Sequence, residues 1–202
     1  MNQGIIMKLY GSYTSPFVRH CRIALLEGQL NGNLACEFIE TDADSSAKLS
    51  PTKKVPFLQD QKAGKDIGLT DSASILMYLR EQSGKSFLKN AQDFNLFCNV
   101  NTVLDAAVNL FFLEKFDDIT PEQSSYLTRH RDRVESALLH MNESSYSSQA
   151  PFTDGELRLA CFLDWGLFRN RINIDGLDNL QALLKAARSF DIFAQTAPPI
   201  GA

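Results

Sequence analysis

Two hydrophobic periods run along this chain, and one gives way to the other near position 83. Before that point short apolar stretches alternate with helix-like ones. Residues 3–6 read as a lead-in and residues 7–10 (MKLY) predict a strand. Gly11, Ser12, Tyr13, Thr14, Ser15 and Pro16 follow, a run dense in turn formers. Proline suits the first position of a helix and serine suits the cap before it, so Ser15 and Pro16 mark a helix start. Residues 17–27 continue that helix, with Val18, Cys21 and Leu25 on one stripe, Phe17 and Ala24 beside it, and Gly28 as its expected stop. Residues 36–39 (CEFI) predict a second strand, and the polar stretch 41–49 allows one or two helical turns. Val55, Pro56, Phe57 and Leu58 lead into a third strand, and residues 67–70 give a fourth after a turn at 62–65. Residues 71–82 then form a helix with Ile75, Leu76 and Leu79 turned inward. This order fits a small α/β unit with one helical crossover and a closing hairpin.

Only helical periodicity follows. Residues 94–116 make a long helix with Phe94, Phe97, Asn101, Leu104 and Val108 at three-to-four spacing. Pro121 opens the next, which runs to about 142 with Tyr126, Val134, Leu138 and Met141 inward. Residues 144–149 are a serine-rich loop. Thr153 with Glu156 three residues on has the pattern of a capping box, ahead of an apolar helix carrying Leu159, Phe162, Leu163 and Leu167. Residues 177–188 and 189–194 give two more helices before Pro198 and Pro199. Residues 1–83 are therefore expected to form an α/β domain, 84–90 a linker and 91–202 an all-helical domain.

Composition narrows the chemistry. The chain has 202 residues, 44% hydrophobic and 22% charged, with a net charge of −4. Its pI is about 5.4. A weakly acidic surface disfavours nucleic acid. No apolar run comes near the ~18 residues that span a bilayer, and the N-terminus lacks a basic segment leading into a long apolar one. A cytoplasmic protein with no membrane partner is the expectation. The cysteines, Cys21, Cys36, Cys98 and Cys161, form no C-x-x-C pair and no zinc spacing, so reduced, mostly buried thiols are expected and no metal. His130 and His140 lie in a charged helical stretch and read as surface residues.

The helix opened by Pro16 has first N–H groups without intrahelical partners and a partial positive charge at its mouth. A thiolate is stabilised there: a free thiol has a pKa near ~8.5, and such sites lower it by a unit or more. Ser12, Thr14 and Ser15 all offer a hydroxyl to a sulfur anion at that place, and Ser15 also serves as a plain helix cap.

Three local patterns then stand in order: GSYTSPFVR from Gly11 to Arg19, KVPFL from Lys54 to Leu58, and DSASILMYL from Asp71 to Leu79. Together with the helical remainder they resemble the glutathione S-transferase family over essentially the whole chain. The SYTSPFVR opening and the proline-containing tail look like a bacterial group close to the Escherichia YibF-type proteins. The resemblance implies a thioredoxin-like domain that binds glutathione as co-substrate, followed by an all-α domain. It implies a homodimer that conjugates the glutathione thiol to small electrophilic or apolar substrates, as in detoxification. Ser15 becomes the working hydroxyl, with Thr14 and Ser12 as alternates and Phe17 beside it. Val55–Pro56 becomes a cis junction whose Val55 backbone pairs with the cysteinyl unit of glutathione. Lys54 would reach the glycine carboxylate, although Lys53 stands where the family often has glycine, which leaves open which lysine faces the ligand. Ser72 would take the γ-glutamyl carboxylate at a helix N-terminus, and Asp71 the ammonium. Arg19 lies either near the ligand or in solvent. A thiol–disulfide exchanger would carry cysteine where Ser15 stands, so the resemblance implies thiol activation without disulfide exchange. The same fold also implies a rival, a non-catalytic interaction module like the stringent-starvation-type proteins. The polar residues Asn101, Thr102, Asp105 and Asn109 on the long helix face either a substrate or solvent.

Overall fold

The computed structural model describes residues 7–32, 34–62 and 65–199. The expected lead-in at 3–6, and Ala63 and Gly64 of the expected turn, lie outside the described residues. The chain has a glutathione-transferase-like fold, a thioredoxin-like mixed sheet with helices followed by a helical part.

In the first unit β1 (Met7–Gly11) is an inner strand of a sheet ordered β2-β1-β3-β4. It pairs in parallel with β2 (Cys36–Glu40) and antiparallel with β3 (Phe57–Lys62), which pairs antiparallel with β4 (Lys65–Leu69). Parallel neighbours need a crossover, and α1 (Pro16–Leu30) supplies it. The apolar stripe of α1, with Val18, Cys21, Ile23 and Ala24 all fully buried, packs on α3 (Ser72–Gln82) through Ile75, Leu76 and Leu79. α2 (Ala43–Leu49) is the short helix that the polar stretch allowed, capped by Asp42.

α1 does not stop at Gly28. It continues to Leu30 because Gly28 is buried against its neighbours: a Cβ there would lie 3.2 Å from both Leu34 Cβ and Ser83 Cβ. Gly11 serves a similar purpose, since a Cβ would fall 2.5 Å from Val18 Cγ1 and push α1 off the end of β1. A buried ion pair between Glu27 and Arg80 ties α1 to α3. Tyr78 O–H donates to Asp60 Oδ2 at 2.6 Å, tying α3 to β3.

The second unit, Leu88–Phe190, is helical: α4 (Ala91–Asp117), a 3-10 turn at Pro121–Gln123, α5 (Ser125–Met141), α6 (Asp154–Phe168) and α7 (Asp178–Arg188). α6 is apolar nearly all round because it is the buried helix of the unit. The expected capping box at its start is present: Glu156 N–H donates to Thr153 Oγ1 at 3.2 Å and Thr153 N–H to Glu156 Oε2 at 2.8 Å. Asp93 of α4 accepts Gly155 N–H on Oδ1 at 2.8 Å. Only glycine fits there, since a Cβ would sit 2.4 Å from that oxygen. A cis bond at Ala150–Pro151 precedes α6.

Some expectations about this unit need correction. The inward stripe of α4 is Asp93, Phe97, Val100, Val103, Leu104 and Ala107, so Phe94 is left 54% exposed. Tyr126 is 64% exposed and lies edge-on to His130 at 4.5 Å, and the buried stripe of α5 begins only at Val134. α4 is also long and apolar enough to cross a membrane, with mean hydropathy 1.5 over an 18-residue window and 33% of that window buried. Its asparagines and Asp105 break the apolar runs without lowering the average much. Its inward face packs on α5 and α6, and core helices meet the same length and hydropathy criteria.

The chain also divides elsewhere than expected. The segment from Asp191 onward groups with the first unit, where α8 (Asp191–Gln195) packs on α1. Phe193 and Thr196 are fully buried there.

Candidate functional site

Strand register brings the expected site residues to one end of the sheet. Tyr10, at the end of β1, is paired with Phe57, at the start of β3, and their rings stack at 4.5 Å. Leu58 is paired with Leu69, the last residue of β4. The turn leaving β1, the Val55–Pro56 junction entering β3 and the Asp71–Ser72 start of α3 therefore emerge together. Cys21 Sγ, on the second turn of α1, lies 3.8 Å from the Ser72 carbonyl oxygen and binds the two helices side by side there.

The turn holds three hydroxyls in two arrangements. Ser12 Oγ and Thr14 Oγ1 are hydrogen-bonded to each other at 3.1 Å, and Thr14 N–H donates to Ser12 Oγ at 3.3 Å. Ser15 N–H donates to the Ser12 carbonyl at 3.1 Å, which closes the turn. Ser15 Oγ accepts Val18 N–H at 3.4 Å and caps α1. Ser12 and Thr14 are thus engaged with one another, while the Ser15 oxygen is used as an acceptor and its proton has no acceptor among the described residues. Pro16 occupies the first helical position, and Phe17 is half-buried in the first turn.

The Val55–Pro56 bond is cis, as the resemblance implied, with Val55 half-buried and Pro56 buried. Lys53 and Lys54 are both exposed. Lys53 has φ 54°, the left-handed region that costs a residue other than glycine roughly 1–2 kcal/mol, which fits a position where glycine would rest without strain. Asp71 caps α3, its Oδ1 accepting Ala73 N–H at 2.8 Å. Asp71 is exposed and Ser72 is 6% exposed.

Arg19 is not solvated. It is 3% exposed, its Nη2 donates to the Phe193 carbonyl at 3.0 Å, and its guanidinium sits 3.9 Å from the Phe193 ring centroid. Arg22 and Tyr13, which no sequence motif singles out, also meet the C-terminal segment and β2. The Arg22 guanidinium lies 4.4 Å from the Tyr13 ring and 5.1 Å from Phe38, and Nη1 donates to the Thr196 carbonyl at 3.1 Å. Tyr13 meets Phe38 edge-on at 5.0 Å. Tails from beyond position 190 carry no local signal that would place them on α1.

Cys21 and Cys36, the thiols of the first unit, are poorly suited to act as nucleophiles. Cys21 is fully buried, and burial pushes the Cys36 thiol up to about 12. Among the described residues no cluster of three or more His, Cys, Asp or Glu is placed to hold a metal ion. The helical unit has a hollow of about 610 Å³ lined in part by Leu110, Val134, Leu138 and Ile172, with Arg131 and Arg171 at its rim. Those arginines pair with Glu122 and Glu114, and the hollow contains none of the expected site residues.

Residues 9–87 match the family described as "Glutathione S-transferase, N-terminal domain". No curated protein matches the chain. Among solved structures it is similar to a glutathione transferase family member from Pseudomonas fluorescens Pf-5 with bound glutathione, at 22% identity and TM-score 0.79, over 96% of this chain and all (100%) of that one. It is similar also to a glutathione S-transferase from Methylobacillus flagellatus KT with glutathione bound, at 22% identity and TM-score 0.78, again over 96% and 100%. A maleylacetoacetate isomerase from Anaeromyxobacter dehalogenans 2CP-1 has the same fold at 18% identity and TM-score 0.72, over 97% and 96% of the two chains.

Proposed function

We propose that this chain is a glutathione-dependent enzyme of the glutathione S-transferase family. In this reading it activates the glutathione thiol with the Ser15 hydroxyl and transfers it to a small electrophile. The observation that carries the reading is the convergence of the Ser15 turn, the cis Val55–Pro56 junction and the Asp71–Ser72 helix start at one end of the sheet. The glutathione-bound similar structures support the co-substrate.

Each group has a physical task. Val55 offers a backbone edge to the cysteinyl unit, as an added strand would. The N-terminus of α3 and the Ser72 hydroxyl take the γ-glutamyl carboxylate. Asp71 caps through one oxygen and offers the other to the ammonium. Lys54, or its neighbour Lys53, meets the glycine carboxylate. The sulfur then lies at the mouth of α1. Because Ser15 Oγ already accepts from Val18 N–H, its own O–H is polarised and donates more strongly to a sulfur anion. Each unit by which the thiol pKa falls is worth about 1.4 kcal/mol. The electrophile, the cytoplasmic location and the homodimer belong to the same proposal.

The similarity to a maleylacetoacetate isomerase favours one second reading, glutathione-dependent isomerisation. It uses the same activated thiolate, which adds to an unsaturated substrate and is later expelled. Assays with a chlorinated nitrobenzene and with a cis-enedione acid separate the two, since only the first retains the thioether. Calorimetry with glutathione separates both from an interaction module: millimolar or tighter binding supports the enzyme, and absence of binding sinks it.

A further inference from the structure

We propose that Arg22 is a positioning residue for the thiol-activating turn, coupling the C-terminal segment to Tyr13 and through Tyr13 to the hydroxyls on either side of it. The inference rests on the reading of Ser15 given above. Tyr13 is the only aromatic residue between Ser12 and Ser15, and its ring meets both Phe38 and the Arg22 guanidinium, which also lies 5.1 Å from the Phe38 ring. Arg22 in turn is fixed from the other side by the Thr196 carbonyl at 3.1 Å. Thr196 is itself pinned: its Oγ1 donates to the Phe193 carbonyl at 2.9 Å and accepts Arg19 Nε at 3.4 Å. The chain of contacts therefore runs from a buried tail, through a planar cation, to the tip of a four-residue turn.

The Ser15–Ser12 bond, the Ser12–Thr14 hydroxyl pair and the Val18 cap fix the hydroxyls relative to one another, and the contact of Tyr13 with Arg22 ties the turn as a whole to the C-terminal segment. Loss of that contact would let the turn, and its hydroxyls with it, shift against the mouth of α1. Arginine suits the task because its flat group stacks on a ring with its face and donates with its edge. Arg19 on the same helix and Glu40 at the end of β2 are the other charges facing it, and burial lowers its pKa without discharging it.

The test follows the thiolate of bound glutathione, by its near-ultraviolet absorbance against pH, in the wild type, Ser15→Ala, Arg22→Met, Arg22→Lys and Tyr13→Leu. Arg22→Met is expected to raise the thiolate pKa by about one unit, a tenfold loss of thiolate near neutrality, while glutathione Kd changes less than about twofold. Tyr13→Leu, which leaves the charge in place, is expected to do the same, and Arg22→Lys to restore part of the shift. Should Arg22→Met fail to fold, Tyr13→Leu still decides the matter. A thiolate pKa that moves in Ser15→Ala but stays at the wild-type value in Arg22→Met and Tyr13→Leu overturns the positioning role and leaves Ser15 standing. A shift in Arg22→Met without one in Tyr13→Leu also overturns it, because charge alone would then be acting. A wild type that binds no glutathione overturns both proposals.

Discussion

Ser15 combines two roles that substitutions can separate. Its oxygen caps α1 by accepting Val18 N–H, and its proton is proposed to meet the sulfur anion. Ser15→Ala removes both, and should cost about 1 kcal/mol of stability together with a roughly 10–100-fold fall in turnover at neutral pH. Ser15→Asp keeps a good cap but has only acceptors to offer, so it should melt within about 0.5 kcal/mol of the wild type and lose the activity all the same. Turnover in Ser15→Asp close to the wild type would reduce Ser15 to a cap. Cys36 makes a prediction about alkaline pH. Its folded-state pKa of about 12 lies above the ordinary value of 9.0 because burial opposes the thiolate. Between those pH values the unfolded chain has released this proton and the folded chain retains it. Stability is therefore whole below pH 9 and falls as pH rises toward 12, by about 1.4 kcal/mol per unit for this group. Tyr146, raised to about 12 by burial, falls in the same range, so the comparison needed is of urea midpoints at pH 8 and 10.5 for the wild type and Cys36→Val. Parallel loss in both proteins would assign the alkaline weakness to other groups.

Between elements, α1 and α3 are joined by the Glu27–Arg80 pair, whose side chains are 13% and 5% exposed. Glu27 also meets Lys85 Nζ at 3.8 Å, so Glu27→Leu or Arg80→Met should each cost about 1–3 kcal/mol in urea unfolding, with the double variant recovering part of it. Additive losses would mean that the two charges do not depend on each other. The helices and strands that this pair joins were largely legible in the sequence, since turn chemistry and periodicity are local. Ser15 with Pro16, Asp71 with Ser72 and Thr153 with Glu156 each announce a helix start within a few positions. What the sequence hid depends on partners far along the chain. Gly28 reads as a stop and is a close-packing residue, Tyr126 reads as inward and is exposed, and Arg19, read as either near the ligand or in solvent, is buried against a partner more than 170 positions away. The candidate site divides the same way: the turn at Ser15, the Val55–Pro56 junction and the Asp71 helix start are local patterns, whereas the contacts of Arg22 with Tyr13 and with the Thr196 carbonyl join positions that no local pattern connects.

For the whole molecule, the surface of α4 carries the proposal of a dimer. Phe94, Phe112 and Phe116 are 54%, 44% and 68% exposed, and the last two stack on each other at 5.5 Å. Apolar surface of that kind on a helix with mean hydropathy 1.5 calls for cover by a partner or by lipid. Two copies of this chain are the cover that accords with the proposed family. Sedimentation equilibrium should then return twice the 22.6 kDa chain mass. Phe112→Asp with Phe116→Asp should shift the midpoint of association upward roughly a hundredfold, because burying two phenylalanines contributes about 3 kcal/mol or more. A wild type that sediments as a single chain and floats with anionic vesicles would assign α4 to lipid. A dimer unaffected by the two substitutions would move the interface to another face of the molecule, and glutathione binding measured on the same samples would show whether each thiol site is complete within one chain.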